Sequence, residues 1–132
     1  MLKKFAAVFL LFSAIAMSAQ ESYVVDKKHD LMWQDSDEKV IDIWKMARSH
    51  CSQLTLGGYD NWRLPTKWEL VELSKDNELK QTFKHMKHNV FWSSDDDPKD
   101  HYNAITVYSG NGFISNSDKC EEYATICVRT NR

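Results

Sequence analysis

Apolar residues change their spacing along this chain, and each change predicts an element. In YVVDKKHDLMWQ, Tyr23 and Val25, then Leu31 and Trp33, alternate with polar neighbours on either side of a polar turn at 27–30. That period of two predicts strand structure. From Asp37 to Leu54 the period lengthens: Val40, Trp44, Ala47, Cys51 and Leu54 recur every three or four residues. This predicts an amphipathic helix with Cys51 on its apolar stripe. Asp35 or Ser36 is placed to cap its start, and Gly57-Gly58 to stop the chain beyond its end.

Residues 59–70 read YDNWRLPTKWEL. A turn over 57–61 leads into an extended Trp62-Arg63-Leu64, and Pro65 keeps the residue before it out of helix. Thr66-x-x-Glu69 has the form of a capping box, in which the hydroxyl accepts from the Glu69 amide and the carboxylate reaches back. Leu70 and Leu73 continue the apolar face. The polar run KDNELKQTFKHMKHN spaces Leu79, Phe83 and Met86 for a second or continued helix. NVFWSS, YNAITVYS, GFISNS and EYATICVR then predict strands, with Gly110-Asn111-Gly112 a hairpin turn. Helices followed by antiparallel strands predict an α+β fold.

The first 19 residues, MLKKFAAVFLLFSAIAMSA, carry two lysines before an apolar run of about a dozen residues, the pattern of a secretory signal peptide. The run is short of the roughly 20 residues a membrane span needs. The expectation is one domain over residues 20–132, periplasmic or secreted, with no membrane span. Taking two lysines from 17 basic residues leaves 15 against 19 acidic ones, a net charge of −4. Such a balance gives no general reason to bind nucleic acid. Cys51, Cys120 and Cys127 would all lie in the exported part, where disulfides persist. Three cysteines leave one free or joined to another molecule, and three intramolecular pairings are open.

DLMWQ at 30–34, GGYDNWRLPTKWEL at 57–70, and FWSS at 91–94 leading to CVR at 127–129 together span nearly all of residues 20–132. In these blocks and their order the chain resembles the C-terminal domain family of the Legionella collagen-like protein. The family pattern has glycine where Asp30 stands and often arginine where Ile126 stands, and no collagen-like repeat is present. The resemblance implies a C-type-lectin-like, sulfatase-modifying-factor-like fold: two helices packed on a small twisted antiparallel sheet with long loops. It makes Trp33, Trp62, Arg63, Leu64, Pro65, Thr66, Glu69 and Trp92 a fold signature. It also favours a Cys51–Cys127 disulfide, with Cys120 the odd thiol. Against that pairing, Cys127 alternates with Ile126 and Val128, so it requires both sheet faces to be covered there; Cys120–Cys127 is the rival.

Four features carry candidate chemistry. Trp62, Arg63 and Trp68 suit a ligand platform, though a core cluster with Arg63 paired to an acid is the favoured reading. Lys80, Lys84, Lys87 and His88 fall on one face of a helix and would form a stripe for a sulfated or phosphorylated polymer. Asp95, Asp96, Asp97 and Asp100, with Tyr102 beside them, are expected in a loop. They offer oxygens to calcium, without EF-hand spacing or the Glu-Pro-Asn and Gln-Pro-Asp triplets of calcium-dependent lectins. His85 and His88 lack a nearby third metal ligand, and no catalytic motif assembles a nucleophile with its base.

The expectation is therefore a non-catalytic binding module for a glycan, a cell-surface polymer in adhesion, or an exported protein, acting through its loops without a required cofactor. The alternatives are a structural or inhibitory partner, monomeric or linked through Cys120, and a copper-dependent oxidase of the formylglycine-generating type. That last chemistry needs a reactive cysteine pair.

Overall fold

The computed structural model describes residues 22–132, and the signal peptide expected over 1–19 lies outside them. The described residues fold as α+β, with two sheets and few helices. Strands β1 (Ser22–Asp26) and β2 (Leu31–Asp35) form the expected hairpin across the polar turn. Asp30 closes that turn at φ 57, left-handed backbone that glycine adopts most easily and Asp tolerates. The departure from the family's glycine thus costs the hairpin little.

The helix expected from Asp37 to Leu54 is shorter. Residues Val40–Asp42 form a strand, β3, and helix α1 runs only from Trp44 to Ser52. Val40 and Ile41 are β-branched and pair with Thr125 and Ala124, so a partner strand overrides the helical spacing of Val40. Neither Asp35 nor Ser36 caps α1. Asp35 Oδ1 instead accepts the Lys84 amide at 2.9 Å. Gly57 and Gly58, at φ 64 and 81, form the two central residues of a tight turn closed by Leu56 and Tyr59, the conformation that favours paired glycines.

Helix α2 (Lys67–Lys75) follows the expected capping box: Thr66 Oγ1 accepts from the Glu69 amide at 3.1 Å, and Glu69 Oε1 accepts from the Thr66 amide at 2.8 Å. Helix α3 (Asn77–Lys80) is a single turn, and residues 81–89 are turns and bends. The helical face expected for Lys80, Lys84, Lys87 and His88 therefore does not exist. Backbone amides there are held by side chains and by Asp35 rather than by a continuing helix.

Four strands follow: β4 (Val90–Asp96), β5 (Asn103–Tyr108), β6 (Ile114–Asp118) and β7 (Tyr123–Thr125); a last one, β8, spans Val128–Thr130. The run EYATICVR splits between sheets. The five-stranded sheet has the order β3-β7-β4-β5-β6 and the three-stranded sheet the order β1-β2-β8. The first is mixed rather than purely antiparallel, because β7 meets β4 in parallel at Phe91 and Ala124.

The sheets have a core on each face. Leu31, Trp33, Phe91, Val107, Ile126 and Val128 pack with Leu70, Val71 and Leu73 of α2. Their sequence neighbours Met32, Trp92 and Cys127 pack the other way, with Trp44, Ala47 and Cys51 of α1, and with Trp62 and Leu64. All of β2 is buried, as a strand covered on both faces must be. Cys127 thus turns away from Ile126 and Val128 into the α1 core, where it is bonded to Cys51 with Cα atoms 5.4 Å apart.

Candidate functional site

The signature stretch is a structural joint. Arg63 exchanges two backbone hydrogen bonds with Val128, at 2.9 and 2.8 Å. Its guanidinium grips Glu69 in a fork, Nη1 to Oε1 at 2.7 Å and Nη2 to Oε2 at 2.9 Å. Burial alone would push the Glu69 carboxyl up. The Arg63 hydrogen bond and charge, with the Thr66 donors, outweigh it and hold the carboxyl below its ordinary value. The Glu69 hydrogen bond in turn raises Arg63. Trp62 is buried, its Nε1–H donating to Tyr59 O at 2.9 Å, whereas Trp68 is 62% exposed. Trp62 is thus a core residue, Arg63 is paired to an acid with its side chain 42% exposed, and Trp68 stands apart on the surface.

The acidic run is divided between a strand and the loop expected for it, with Asp97, Asp100 and Tyr102 in the β4–β5 connection. Asp95 and Asp96 belong to β4. Asp95 Oδ2 accepts the Lys67 amide at 2.7 Å, at the start of α2, and Asp96 pairs with Lys119 at 2.5 Å. Asp97 is buried and accepts from the Lys99 amide and from Asn116 Nδ2, at 2.9 and 2.6 Å. Asp100 accepts the Tyr102 amide at 3.0 Å. Each carboxylate has its own donors, and they do not converge on one point: among the described residues no group of three or more His, Cys, Asp or Glu is placed to hold a metal ion. Tyr102 is strongly exposed and stacks on His101, with ring centroids 4.7 Å apart.

The lysines do come together, though not on a helix. Lys80, Lys84 and Lys87 line one surface depression of ≈ 460 Å³ with Lys39, His85 and His88, and no Asp or Glu is in its wall. Irregular backbone over 81–89 supplies most of it. Lys84 is held at the rim by Asp37, whose hydrogen bond and charge raise the ammonium above its ordinary value. Lys80 Nζ donates to Ser109 O at 3.0 Å. His85 Nε2–H donates to Asp37 O at 2.7 Å and His88 Nδ1 meets the Tyr108 hydroxyl at 3.0 Å. The two histidines are thus separately engaged.

A second basic groove, of ≈ 420 Å³, escapes the sequence reading. Lys45, Arg48, Ser49 and Ser52 on the outer face of α1 form one wall, and Trp62, Arg63 and Leu64 the other. The Arg48 guanidinium lies over the Trp44 ring, 4.7 Å from its centroid, which orients it by a cation–π contact. The spacing 45, 48, 49, 52 is helical and could have pointed to this face. What it faces depends on Arg63, which arrives through pairing with β8.

The family model of the Lcl C-terminal domain matches residues 22–129. The chain belongs to this family. The match covers every element that builds the two cores of this Lcl C-terminal domain, from β1 to Arg129 in β8. Among curated proteins, none matches the chain. No helix among the described residues is long and apolar enough to cross a membrane.

Proposed function

We propose that this Lcl C-terminal domain is an exported, non-catalytic binding module with a C-type-lectin-like fold, and that it takes an anionic surface polymer, such as a sulfated or phosphorylated glycan, into the lysine depression. One observation carries the reading: four lysines and two histidines line a single depression with no carboxylate in its wall. In a chain with more acidic than basic residues, that concentration of one sign focuses potential where a polyanion would lie. Family membership supports a binding module. The acidic run around Asp97 and Tyr102 is not the contact surface in this reading, because its carboxylates hold the fold. Binding proceeds without a cofactor.

The test is an array of neutral, acidic and sulfated glycans probed with the oxidised protein. Binding confined to the charged glycans and weakening as salt rises is the expected result. A blank array, or binding to neutral glycans alone, overturns the reading. A second reading rests on Cys120, which is exposed and unbonded: a partner protein or second copy joined by a disulfide. A linked species that disappears under reductant would favour it.

A further inference from the structure

Another pocket, of ≈ 260 Å³, lies where the N-terminal half of α2 passes the β1–β2 hairpin. Asp26, His29 and Leu31 of the hairpin face Trp68, Glu69 and Glu72 of α2 across it, and none of the six lines the lysine depression. Trp33, Trp44, Trp62 and Trp92 are spent in the two cores, whereas Trp68 is 62% exposed and belongs to neither. Asp26, only 4% exposed, accepts the His29 backbone N–H at 3.2 Å and the His29 Nδ1–H at 2.9 Å. A carboxylate on Nδ1 fixes the hydrogen there, and in the neutral ring Nε2 is then an acceptor. Nε2 faces Glu72 Oε2 at 3.9 Å, beyond hydrogen-bond length. Two acceptors thus point at one gap, and a donor about 2.8 Å from each would bond to both. Glu69 is already engaged by Arg63 and Thr66. The Glu72 side chain is 58% exposed, and among the described residues no lysine or arginine pairs with it.

We propose that this pocket binds a primary ammonium group, that of a lysine side chain presented by a partner protein. A cation is favoured over a hydroxyl because the Trp68 ring and the Glu72 carboxylate both attract positive charge. An ammonium suits the gap better than a guanidinium, whose planar fork matches the two oxygens of one carboxylate rather than an oxygen and a ring nitrogen held apart. Leu31 and Trp68 offer apolar surface to the methylenes of the stem. The volume falls below the roughly 300–1,000 Å³ of small-molecule sites and suits a single side chain. Lys67 Nζ lies 5.3 Å from the centroid of the Trp68 ring but outside the pocket wall, so the ammonium that this ring already meets does not fill the gap. An exposed tryptophan is the residue type that dominates binding at protein interfaces, and the acidic balance of residues 20–132 favours a basic partner.

The test is titration of the oxidised protein with Nα-acetyl-lysine amide, read by NMR at the Trp68 indole and the His29 ring, beside its Nε-acetylated form, the arginine analogue and butylamine. Saturable shifts at both residues with the lysine compound, and none with its Nε-acetylated form, are the expected result. Glu72→Gln and Trp68→Ala, both at exposed side chains, should each weaken binding by about fivefold or more, and Lys87→Glu in the lysine depression should leave it unchanged. No saturable shift, equal binding of the Nε-acetylated form, or unchanged affinity in Glu72→Gln would overturn the proposal. Tighter binding of the arginine analogue would overturn the ammonium, and tighter binding of butylamine the protein-borne source. Binding of the lysine compound beside a blank glycan array would remove only the polymer site.

Discussion

Arg63 and Glu69 form a two-point ion pair in which the carboxylate also closes the N-terminus of α2. Two functions meet in the Glu69 side chain, cap and counter-ion, and the backbone of its partner Arg63 is tied to β8. Because the folded state holds the Glu69 carboxyl below its ordinary value, the pair contributes stability that is fully present above the unfolded value, about 4.3. It is lost as pH falls through the lower folded value. Glu69→Gln is expected to lower the melting temperature at neutral pH and to flatten the acid limb of a stability–pH curve. Thermal melts from pH 7 down to pH 2 would check both, and an unaltered acid limb would show that other carboxylates dominate.

The Cys51–Cys127 bond closes a loop whose ends are 76 residues apart. On the chain-entropy argument such a closure stabilises the fold by roughly 4 kcal/mol. Reduction, or the double variant Cys51→Ala/Cys127→Ala, is expected to remove most of that, which chemical denaturation would read as a lower midpoint. Cys120→Ser should leave the midpoint where it was.

Asp95 acts on a helix from a distant strand by accepting the Lys67 amide. Asp95→Ala removes a cap and a negative charge from the start of α2, at a cost of about 1 kcal/mol. Denaturant titration should show that loss, with glycan binding unchanged.

Lys39 and Lys87 line the depression, and no carboxylate pairs with them among the described residues. Lys39→Glu and Lys87→Glu are each expected to weaken binding of a sulfated polymer by about tenfold, equal to about 1.4 kcal/mol, and to reduce its salt dependence. Equal affinity in a surface-binding assay would move the site elsewhere, and the α1 groove of Lys45 and Arg48 would be next to test.

Local chemistry made much of this protein legible. The Thr66–Glu69 box, the hairpin around 27–30 and the strands β4, β5 and β6 depend on neighbours within a few residues, and each appears close to where the pattern placed it, whereas EYATICVR divides into β7 and β8. The expectation of covered faces on both sides of Cys127 also followed from the alternation of Ile126, Cys127 and Val128, and two cores satisfy it.

Where an element competes for a remote partner, the period misled. Val40 has helical spacing to Trp44, but Thr125 offers a strand partner 85 residues away and β3 forms instead. Phe83 and Met86 have helical spacing too, yet they reach the α2 core from irregular backbone held by Asp35 and Ser109.

The sequence by itself determined the α+β class, the capped second helix and the residues available for a positive surface, because short-range capping, alternation and charge are written locally. Tertiary structure decided the rest. It closed the Cys51–Cys127 bond that the resemblance favoured and the residues alone left open, gave Asp95, Asp96 and Asp97 donors from far along the chain, and gathered lysines without a helix. Those outcomes depend on which faces are covered and which donors arrive from far along the chain, and that is fixed only when the two cores close.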